Sequence, residues 1–428
     1  MATMFILFGI VLLMVLINVP IAVALGLVAT GAMVVAQGVD SLPNMAIVMF
    51  NGATKFPLLA IPLFILAGAI MNSSGISRRL INLASALFGW IRGGLAHVSI
   101  GVSLFFAEIS GSAVADVAAL GSVLIPEMKK KGYSAPFAAA VTSSSASLAI
   151  IIPPSIPMIL YAVMSESSVT QLFVAGIVPG LLGGLGLMLV SYFVARRYNL
   201  PREASFSWSR VYAASRDAIW ALLLPLIILG GIFGGLVTAT EGAALAVVAA
   251  LFVGTVIYNE LDLKHLRSAV LEGGIQTSVV MLMVATSALL GSHLTESGAP
   301  QKMAQAVSDF TNDPVVVLFL LNMVFLFLGV FLHSAAAIIL VVPIVMPLVY
   351  AVGIDPIHFG IIVTLNLAIG QQTPPVASVL MVSSSIAKAS VWETTRANVG
   401  FIGVLLTVLF LVTYVPWVGL GLVDYFYR

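Results

Sequence analysis

Long apolar runs, each bounded by polar or charged breaks, recur from one end of this chain to the other. They lie at 3–18, 21–38, 56–73, 136–163, 170–195, 217–236, 242–258, 272–292, 356–386 and 398–418. A helix needs about 20 apolar residues to cross the hydrocarbon core of a bilayer, and only helices or closed barrels satisfy their backbone polar groups there. A soluble chain of this length would need a charged surface several times larger, because 61% of the 428 residues are hydrophobic and 8% are charged. The mean hydropathy is +1.14. The expected fold is therefore an all-α polytopic membrane protein with about ten transmembrane helices and no soluble second domain. A formal net charge of +1 offers no basic stripe for nucleic acid. With no cysteine in the chain, disulfides, thiolate metal sites and cysteine nucleophiles are excluded. The N-terminal MATMFILFGIVLLMVLINVP lacks the basic region and cleavage site of a signal peptide, so it reads as a retained first span.

Lys and Arg set the orientation. They gather at Arg78, Arg79, Arg92, Lys129 to Lys131, Arg196, Arg197, Arg210, Arg216, Lys264, Arg267, Lys388 and Arg396, which the positive-inside rule places in the cytoplasm. Both termini then fall on the periplasmic side. Between Arg92 and Lys129 both flanks are basic while the stretch between is almost wholly apolar. Its centre, Ser110, Gly111 and Ser112, makes a poor periplasmic loop, so a re-entrant hairpin fits better than two crossings. The run from Pro314 to Val352, broken at His333 and Ser334, is of the same kind. A tight pair of ordinary spans is the alternative for each. Irregular backbone at membrane depth survives only beside protein or a water-filled cavity, so both tips should line one.

The chain also repeats. Pro126 pairs with Pro347 and Gly132 with Gly353, and the two adjacent proline pairs, Pro153-Pro154 and Pro374-Pro375, are likewise 221 positions apart. Gly68 and Gly75 match Gly291 and Gly298 at an offset of 223. Each copy reads as span, short amphipathic helix, hairpin and broken span. In the first amphipathic helix Ile76, Leu80, Leu83, Leu87 and Ile91 recur at helical spacing; in the second, after Pro300, Met303, Val307 and Phe310 share a face. Three spans between the copies force the second upside down, and inverted repeats are an architecture of alternating access. The expected organisation is N-terminal scaffold helices at 1–55, repeat 1 at 56–163, connecting scaffold helices at 164–271, repeat 2 at 272–386 and a C-terminal helix at 387–428.

The broken spans carry the chemistry. The stretch 136–163 is longer than a straight crossing needs, and its interior reads TSSSASLAIIIPPS. Prolines cannot donate amide hydrogens, and Ser143, Ser144, Ser145 and Ser147 can bond the freed carbonyls, so an unwound stretch is expected. Its partner TLNLAIGQQTPPVA brings Thr364, Asn366, Gly370, Gln371, Gln372 and Thr373 to the second proline pair. Hydroxyls, amide oxygens and free carbonyls are the hard donors a desolvated sodium ion requires. The bland alternative is that these hydroxyls bond their own helices and the prolines only kink them. No Lys or Arg lies within the hairpins or broken spans, so half-helix N-termini and bound sodium would have to meet an anionic substrate. Glu108 and Asp116 in the first hairpin cost roughly 3 kcal/mol each as intramembrane carboxylates; either ion coupling or a structural hydrogen bond would account for them. His333 fits a proton carrier, a substrate contact or a packed core histidine. Glu241 in TATEGA reads as a helix-start residue.

The motifs EISGSAVADVAALGSVLIPEMKKKGYSAPFAAAV, IIPPSIPMILYAV, FVAGIVPG and NLAIGQQTPPVASVLMV resemble the large membrane subunit of tripartite ATP-independent periplasmic (TRAP) transporters, over nearly the whole chain. The resemblance implies an elevator mechanism, in which a transport domain of both hairpins and both broken spans slides past a scaffold with sodium and substrate aboard. It implies two partners, a small four-helix membrane subunit on a separate chain and a periplasmic substrate-binding protein. It also implies carboxylate substrates, with a sialic or other sugar acid expected here. Carried onto this sequence, the candidate sodium ligands are Ser110, Gly111, Ser112, Ser143, Ser144, Ser145, Pro153, Ser155, Ser334, Gly370, Gln371, Gln372, Thr373 and Pro374. The candidate substrate contacts are Ser112, Asp116, Ser147, His333, Asn366 and Gln372. No cofactor is expected beyond sodium as coupling ion.

Three other functions compete. An intramembrane enzyme would need a metal motif or a nucleophile with its base, and His97, His265, His293, His333 and His358 form no such pairing. A channel has no need of two broken spans in inverted repeats. A stand-alone sodium/carboxylate symporter of the related ion-transporter superfamily differs in taking free substrate without a binding protein.

Overall fold

The computed structural model describes residues 2–110, 112–203 and 205–427, the side chains of 2–5 and 106–110 excepted. Among the described residues the regular elements are helices and no strand occurs, as hydrocarbon demands of a backbone that cannot reach water. The chain opens with α1 (Ala2–Leu16), α2 (Ile21–Gln37) and α3 (Leu42–Ala53). The next group is α4 (Ala60–Ser73), α5 (Ile76–Phe88), α6 (Gly94–Ser110), α7 (Ala113–Lys130), α8 (Ala135–Ala146) and α9 (Ile156–Ser165). Three long helices follow: α10 (Val169–Arg197), α11 (Trp208–Phe233) and α12 (Ala239–Phe252), the last running on into a π turn, Val253–Ile257. The second group is α13 (Leu263–Glu296), α14 (Ala299–Phe310), α15 (Pro314–Phe331), α16 (Ser334–Ala351), α17 (Pro356–Gly370) and α18 (Ser378–Ala387), and α19 (Val391–Tyr414) and α20 (Trp417–Tyr427) close the chain.

Among the described residues eight helices are long and apolar enough to cross a membrane, against the ten spans expected. Six coincide with expected spans; the other two are α15 and α16, the legs of the second expected hairpin, each 18 residues long. By length these legs suit paired spans as well as a re-entrant hairpin. The expected spans at 136–163 and 356–386 are divided, each into two short helices around its proline pair. The single C-terminal helix of the sequence reading is two, because Pro416 ends α19 and its carbonyl accepts from Leu420 N–H in α20 at 2.8 Å. A further helix, α3, was not anticipated; it packs on α13, where a Cβ added at Gly52 would overlap Ala288.

Matching elements start and stop at matching distances. Helices α7 and α16 begin and end 221 residues apart, and α8 and α17 begin 221 apart. Glycine is needed at the corresponding corners: Gly75 and Gly298 start α5 and α14 at φ +73° and +66°, and Gly132 and Gly353 follow α7 and α16 at φ +87° and +72°, a region that a Cβ disfavours. The packing interlocks the groups. In each, the first half of the broken helix lies on its own hairpin legs, while the second half lies on the inner leg of the other group, α9 on α16 and α18 on α7. A second cluster of α2, α3, α4, α12 and α13 packs alongside.

The amphipathic helices join these parts. Ile76, Leu80 and Leu83 of α5 are buried, and its basic face is ion-paired: Arg78 lies 2.7 Å from Glu260, and Arg79 lies 2.9 Å from Glu260 and 3.2 Å from Asp217. Arg79 also stacks over Tyr258, 3.6 Å from the ring centroid. In α14, Met303 and Val307 pack against the core as expected. Phe310 does not; it is 78% exposed, because the helix ends there with Thr311 turning to extended backbone.

Candidate functional site

The first break is built around carbonyls that lose their helical partners. Helix α8 tightens into a 3-10 turn at Ser147–Ile150, and the proline pair, joined by a cis bond, supplies no N–H. Ser155 restarts the chain: its Oγ donates to the Ile150 carbonyl at 2.8 Å and accepts from Met158 N–H at 3.4 Å, capping α9. Helix α10 makes room with glycine, since a Cβ at Gly176 would overlap the Ile151 carbonyl oxygen and one at Gly180 would press on Ile152. The second break turns on Gln371, whose carbonyl accepts from Val379 N–H at 3.2 Å, and on Ala377 at φ +45°. Pro374-Pro375 is again cis. Gly370 meets Gly329 of α15 so closely that a Cβ on it would come within 2.5 Å of that backbone.

The two breaks cross, and Gln372 is the pin. Its Nε2 donates to Ser147 Oγ at 2.7 Å, while its Oε1 accepts from Ser144 Oγ at 2.6 Å and from Asn398 Nδ2 at 3.1 Å. Ser144 Oγ is also 2.5 Å from Asn398 Oδ1. All four residues are fully buried. Ser145 accepts from Ser103 of α6 at 2.9 Å and donates to the Thr142 carbonyl at 3.1 Å. Asn366 belongs to a separate chain, donating at 2.6 Å to Asn322 of α15, which donates to Thr413 at 3.2 Å. Ser145 and Asn366 are 221 positions apart, and each ties its broken helix to the first leg of its own hairpin.

Several buried polar atoms in the breaks have no protein partner: Ser143 Oγ, Asn366 Oδ1, and both amide atoms of Gln371. Leaving such an atom unpaired costs about 1–3 kcal/mol, so these are the atoms to which an ion or ligand has most to offer. Gln371 is 1% exposed and lines a cavity of about 810 Å³ between the hairpin tips and the second cluster. Ser112 and Ala113 enter it from the first tip, and His333, Ser334 and Ala335 from the second. Ile156 and Pro157 enter from the first break, and Asn72, Glu272 and Gln276 lie on the opposite walls. Three helix N-termini, those of α7, α9 and α16, therefore reach one space, and no Lys or Arg is among its described lining residues. Unsatisfied N–H groups and the helix dipole make such ends favourable to anions.

The predicted residues thus divide. Ser112, His333, Ser334 and Gln371 share the cavity. Ser144, Ser147 and Gln372 share the crossing, where Ser145 lies alongside. Asp116 is buried in the first turn of α7, Thr373 Oγ1 donates to the Ile369 carbonyl at 3.0 Å, and Asn366 lies apart from the cavity. Gly111 and the side chains of Ser110 and Glu108 lie outside the described residues. Glu241 sits in a capping box, accepting from Thr238 N–H at 2.8 Å. The sequence reading missed Asn322, a lone polar residue in an apolar helix, and Asn398 and Ser103, which lie outside the hairpin tips and proline breaks it searched. It also missed Asn72, Glu272 and Gln276 on the cavity wall. Among the described residues no cluster of three or more His, Asp or Glu could hold a metal ion.

Comparison with known proteins gives a consistent answer. The profile of the family described as "Tripartite ATP-independent periplasmic transporter, DctM component" matches residues 8–418. The C4-dicarboxylate TRAP transporter large permease protein DctM of Vibrio cholerae is 38% identical, covering 96% of this chain and 96% of that one. The sialic acid TRAP transporter large permease protein SiaM of the same organism is 40% identical over 88% of each chain. The isethionate TRAP transporter permease protein DctMQ of Oleidesulfovibrio alaskensis is 40% identical over 96% of this chain, which spans only 65% of that longer protein. Among solved structures, the YdaH transporter of Alcanivorax borkumensis superposes with a TM-score of 0.65 over 90% of both chains, at 16% identity, a likeness of fold alone.

Proposed function

Because the chain belongs to the DctM component family of TRAP transporters, multi-pass proteins of the bacterial inner membrane that transport rather than catalyse, we propose that it imports a small organic anion together with sodium. The anion is handed over by a periplasmic substrate-binding protein. A small four-helix membrane subunit works beside this one as a separate chain, a reading supported by the near-complete match to relatives named as large permeases. The basic residues face the cytoplasm and both termini the periplasm, with α6–α7 and α15–α16 as re-entrant hairpins of two inverted repeats.

One observation carries the proposal: three helix N-termini and the unpartnered amide of Gln371 meet in a single cavity beside the crossing of the breaks. The helix ends hold the anionic group, and Gln371 recognises a polar group next to it. Sodium is coordinated by oxygens of the breaks, among which Ser143 Oγ and Gln371 Oε1 have no protein partner. Filling these positions would remove the cost of desolvated oxygens only when ion and substrate are both aboard. The unit of hairpins and broken helices then slides against the cluster of α2–α4 and α12–α13 as an elevator. The volume of about 810 Å³ suits a ligand of sugar-acid size, and relatives carry names of sialic acid, C4-dicarboxylate and isethionate transporters. We favour a sialic or other sugar acid.

The test is uptake into liposomes holding this chain and its small membrane partner, with an inward sodium gradient, with and without the binding protein. Labelled sugar acids, C4-dicarboxylates and isethionate would be compared. Uptake that needs both sodium and the binding protein is expected. Uptake from free substrate would replace the proposal with a stand-alone symporter, and indifference to sodium would remove the ion sites.

A further inference from the structure

Away from the cavity, three guanidinium groups surround a pocket of about 390 Å³ lined by Trp90, Ile91, Arg92, Tyr192, Arg196 and Arg202. Among the described residues no Asp or Glu lines it. Arg92 reaches Asn199 Oδ1, at 3.4 Å, and the nearby carboxylate of Glu203 is turned to Lys131, at 3.8 Å. The frame is fixed by backbone: Gly93 N–H donates to the Pro201 carbonyl at 3.1 Å and Glu203 N–H to the Gly89 carbonyl at 2.9 Å. Gly93 adopts φ +73°, and a Cβ on it would press against Ala195, so the α5–α6 joint is held hard against the end of α10. This is a preformed positive pocket at the basic ends of two apolar helices.

Its surroundings indicate which anion it takes. Trp90, Phe206 and Trp208 form an edge-to-face series with centroids 5.7 and 5.1 Å apart, all partly exposed, as aromatic side chains at the headgroup level of a bilayer are. From Arg196 an exposed apolar stripe runs back along the same face of α10 through Phe193, Leu189 and Leu185, which are 59%, 56% and 63% exposed. At 1.5 Å per residue the stripe and its arginine extend over roughly 16 Å, about the hydrocarbon depth of one leaflet. We infer that this pocket binds the phosphodiester of an anionic glycerophospholipid, with its acyl chains along the Leu185–Phe193 face of α10. Arginine forks match phosphate oxygens in pairs, and the stripe supplies what a soluble phosphate would leave unused.

The test uses the full chain in detergent, titrated with dioleoyl phosphatidylglycerol, dioleoyl phosphatidylcholine and soluble sn-glycerol 1-phosphate, with bound ligand read by native mass spectrometry. Phosphatidylglycerol should bind at least about 10-fold more tightly than phosphatidylcholine, each guanidinium contributing roughly 5-fold. Arg92→Gln with Arg196→Gln and Arg202→Gln should bring the two lipids to near equality, whereas Arg92→Lys with Arg196→Lys and Arg202→Lys should keep most of the preference. Arg197→Gln removes an adjacent charge that does not line the pocket and should leave the preference intact. Equal binding of both lipids by the unaltered chain would overturn the inference. So would loss of preference in Arg197→Gln, which would indicate diffuse charge, or displacement of the lipid by glycerol phosphate at equal concentration, which would indicate a soluble-anion site.

Discussion

Two adjacent glutamines in the second break have opposite surroundings, and their substitution should separate transport from folding. Gln371 leaves both amide atoms buried without a protein partner, so Gln371→Leu removes a cost of about 1–3 kcal/mol rather than adding one. The variant should unfold at an unchanged or higher temperature while losing at least about 10-fold in uptake rate, the equivalent of one hydrogen bond at the ligand. Gln372 satisfies Ser144, Ser147 and Asn398 together. Gln372→Leu would strand those partners and should destabilise the protein by about 2–4 kcal/mol, seen as a clear fall in the thermal unfolding midpoint. If both variants lose stability alike, Gln371 is a structural residue and the cavity assignment falls. The sequence placed both glutamines at the break but could not distinguish them, because the difference is made by Asn398, which is close in space and 26 positions away in the chain. Asn366 shows the same limit: its residue type suits a ligand contact, yet its amide nitrogen is taken by Asn322 while its oxygen has no protein partner.

At the scale of the element, the breaks themselves were legible, since adjacent prolines forbid consecutive helical hydrogen bonds whatever surrounds them. The cradle for the first break was less so. FVAGIVPG looks like any small-residue helix face, and only the packed structure brings Gly176 against the Ile151 carbonyl. Gly176→Ala should displace that carbonyl, cost about 1–3 kcal/mol through overpacking, and weaken the sodium dependence of uptake more than Gly403→Ala, whose added Cβ meets nothing. The helix start read at Glu241 is a local cap, and a second, not read from the sequence, starts α13. Asp262 accepts His265 N–H at 2.7 Å to start α13, and that bond to the backbone holds its carboxyl below the ordinary value, with the His265 side chain adding to it. A lowered pKa gives stability that is complete above the unfolded value near 4 and is lost as pH falls through the lower, folded one. Amide exchange in the first turn of α13, corrected for its intrinsic pH dependence, should therefore be constant from neutral to mildly acid pH and rise only below that range. Asp262→Asn, which caps without titrating, should abolish the rise. Helices α3 and α20 left weaker signals, because a short apolar helix is recognised by what it packs on and not by its own pattern.

For the whole molecule, the proposed sliding of one cluster past the other predicts a contact that opens and closes. Ala119 of α7 and Val279 of α13 face the same cavity from opposite clusters, and the natural chain has no cysteine to interfere. Ala119→Cys with Val279→Cys, bridged by a short bifunctional maleimide, should stop uptake almost completely, whereas each single variant treated alike should retain it. Continued transport by the bridged protein would sink the elevator. The architecture was legible in outline because a duplicated sequence must make duplicated elements, as the matched bounds of α7 and α16 illustrate. The duplication is not faithful at the cavity, however. Ile150 and Gln371 stand 221 positions apart and both line it, one presenting hydrocarbon and the other an amide. A molecule lying between them is met by oil on one flank and by hydrogen bonds on the other, so it must enter with a fixed heading. On the proposed reading, two matched positions meet the ligand as unlike jaws that tell its head from its tail.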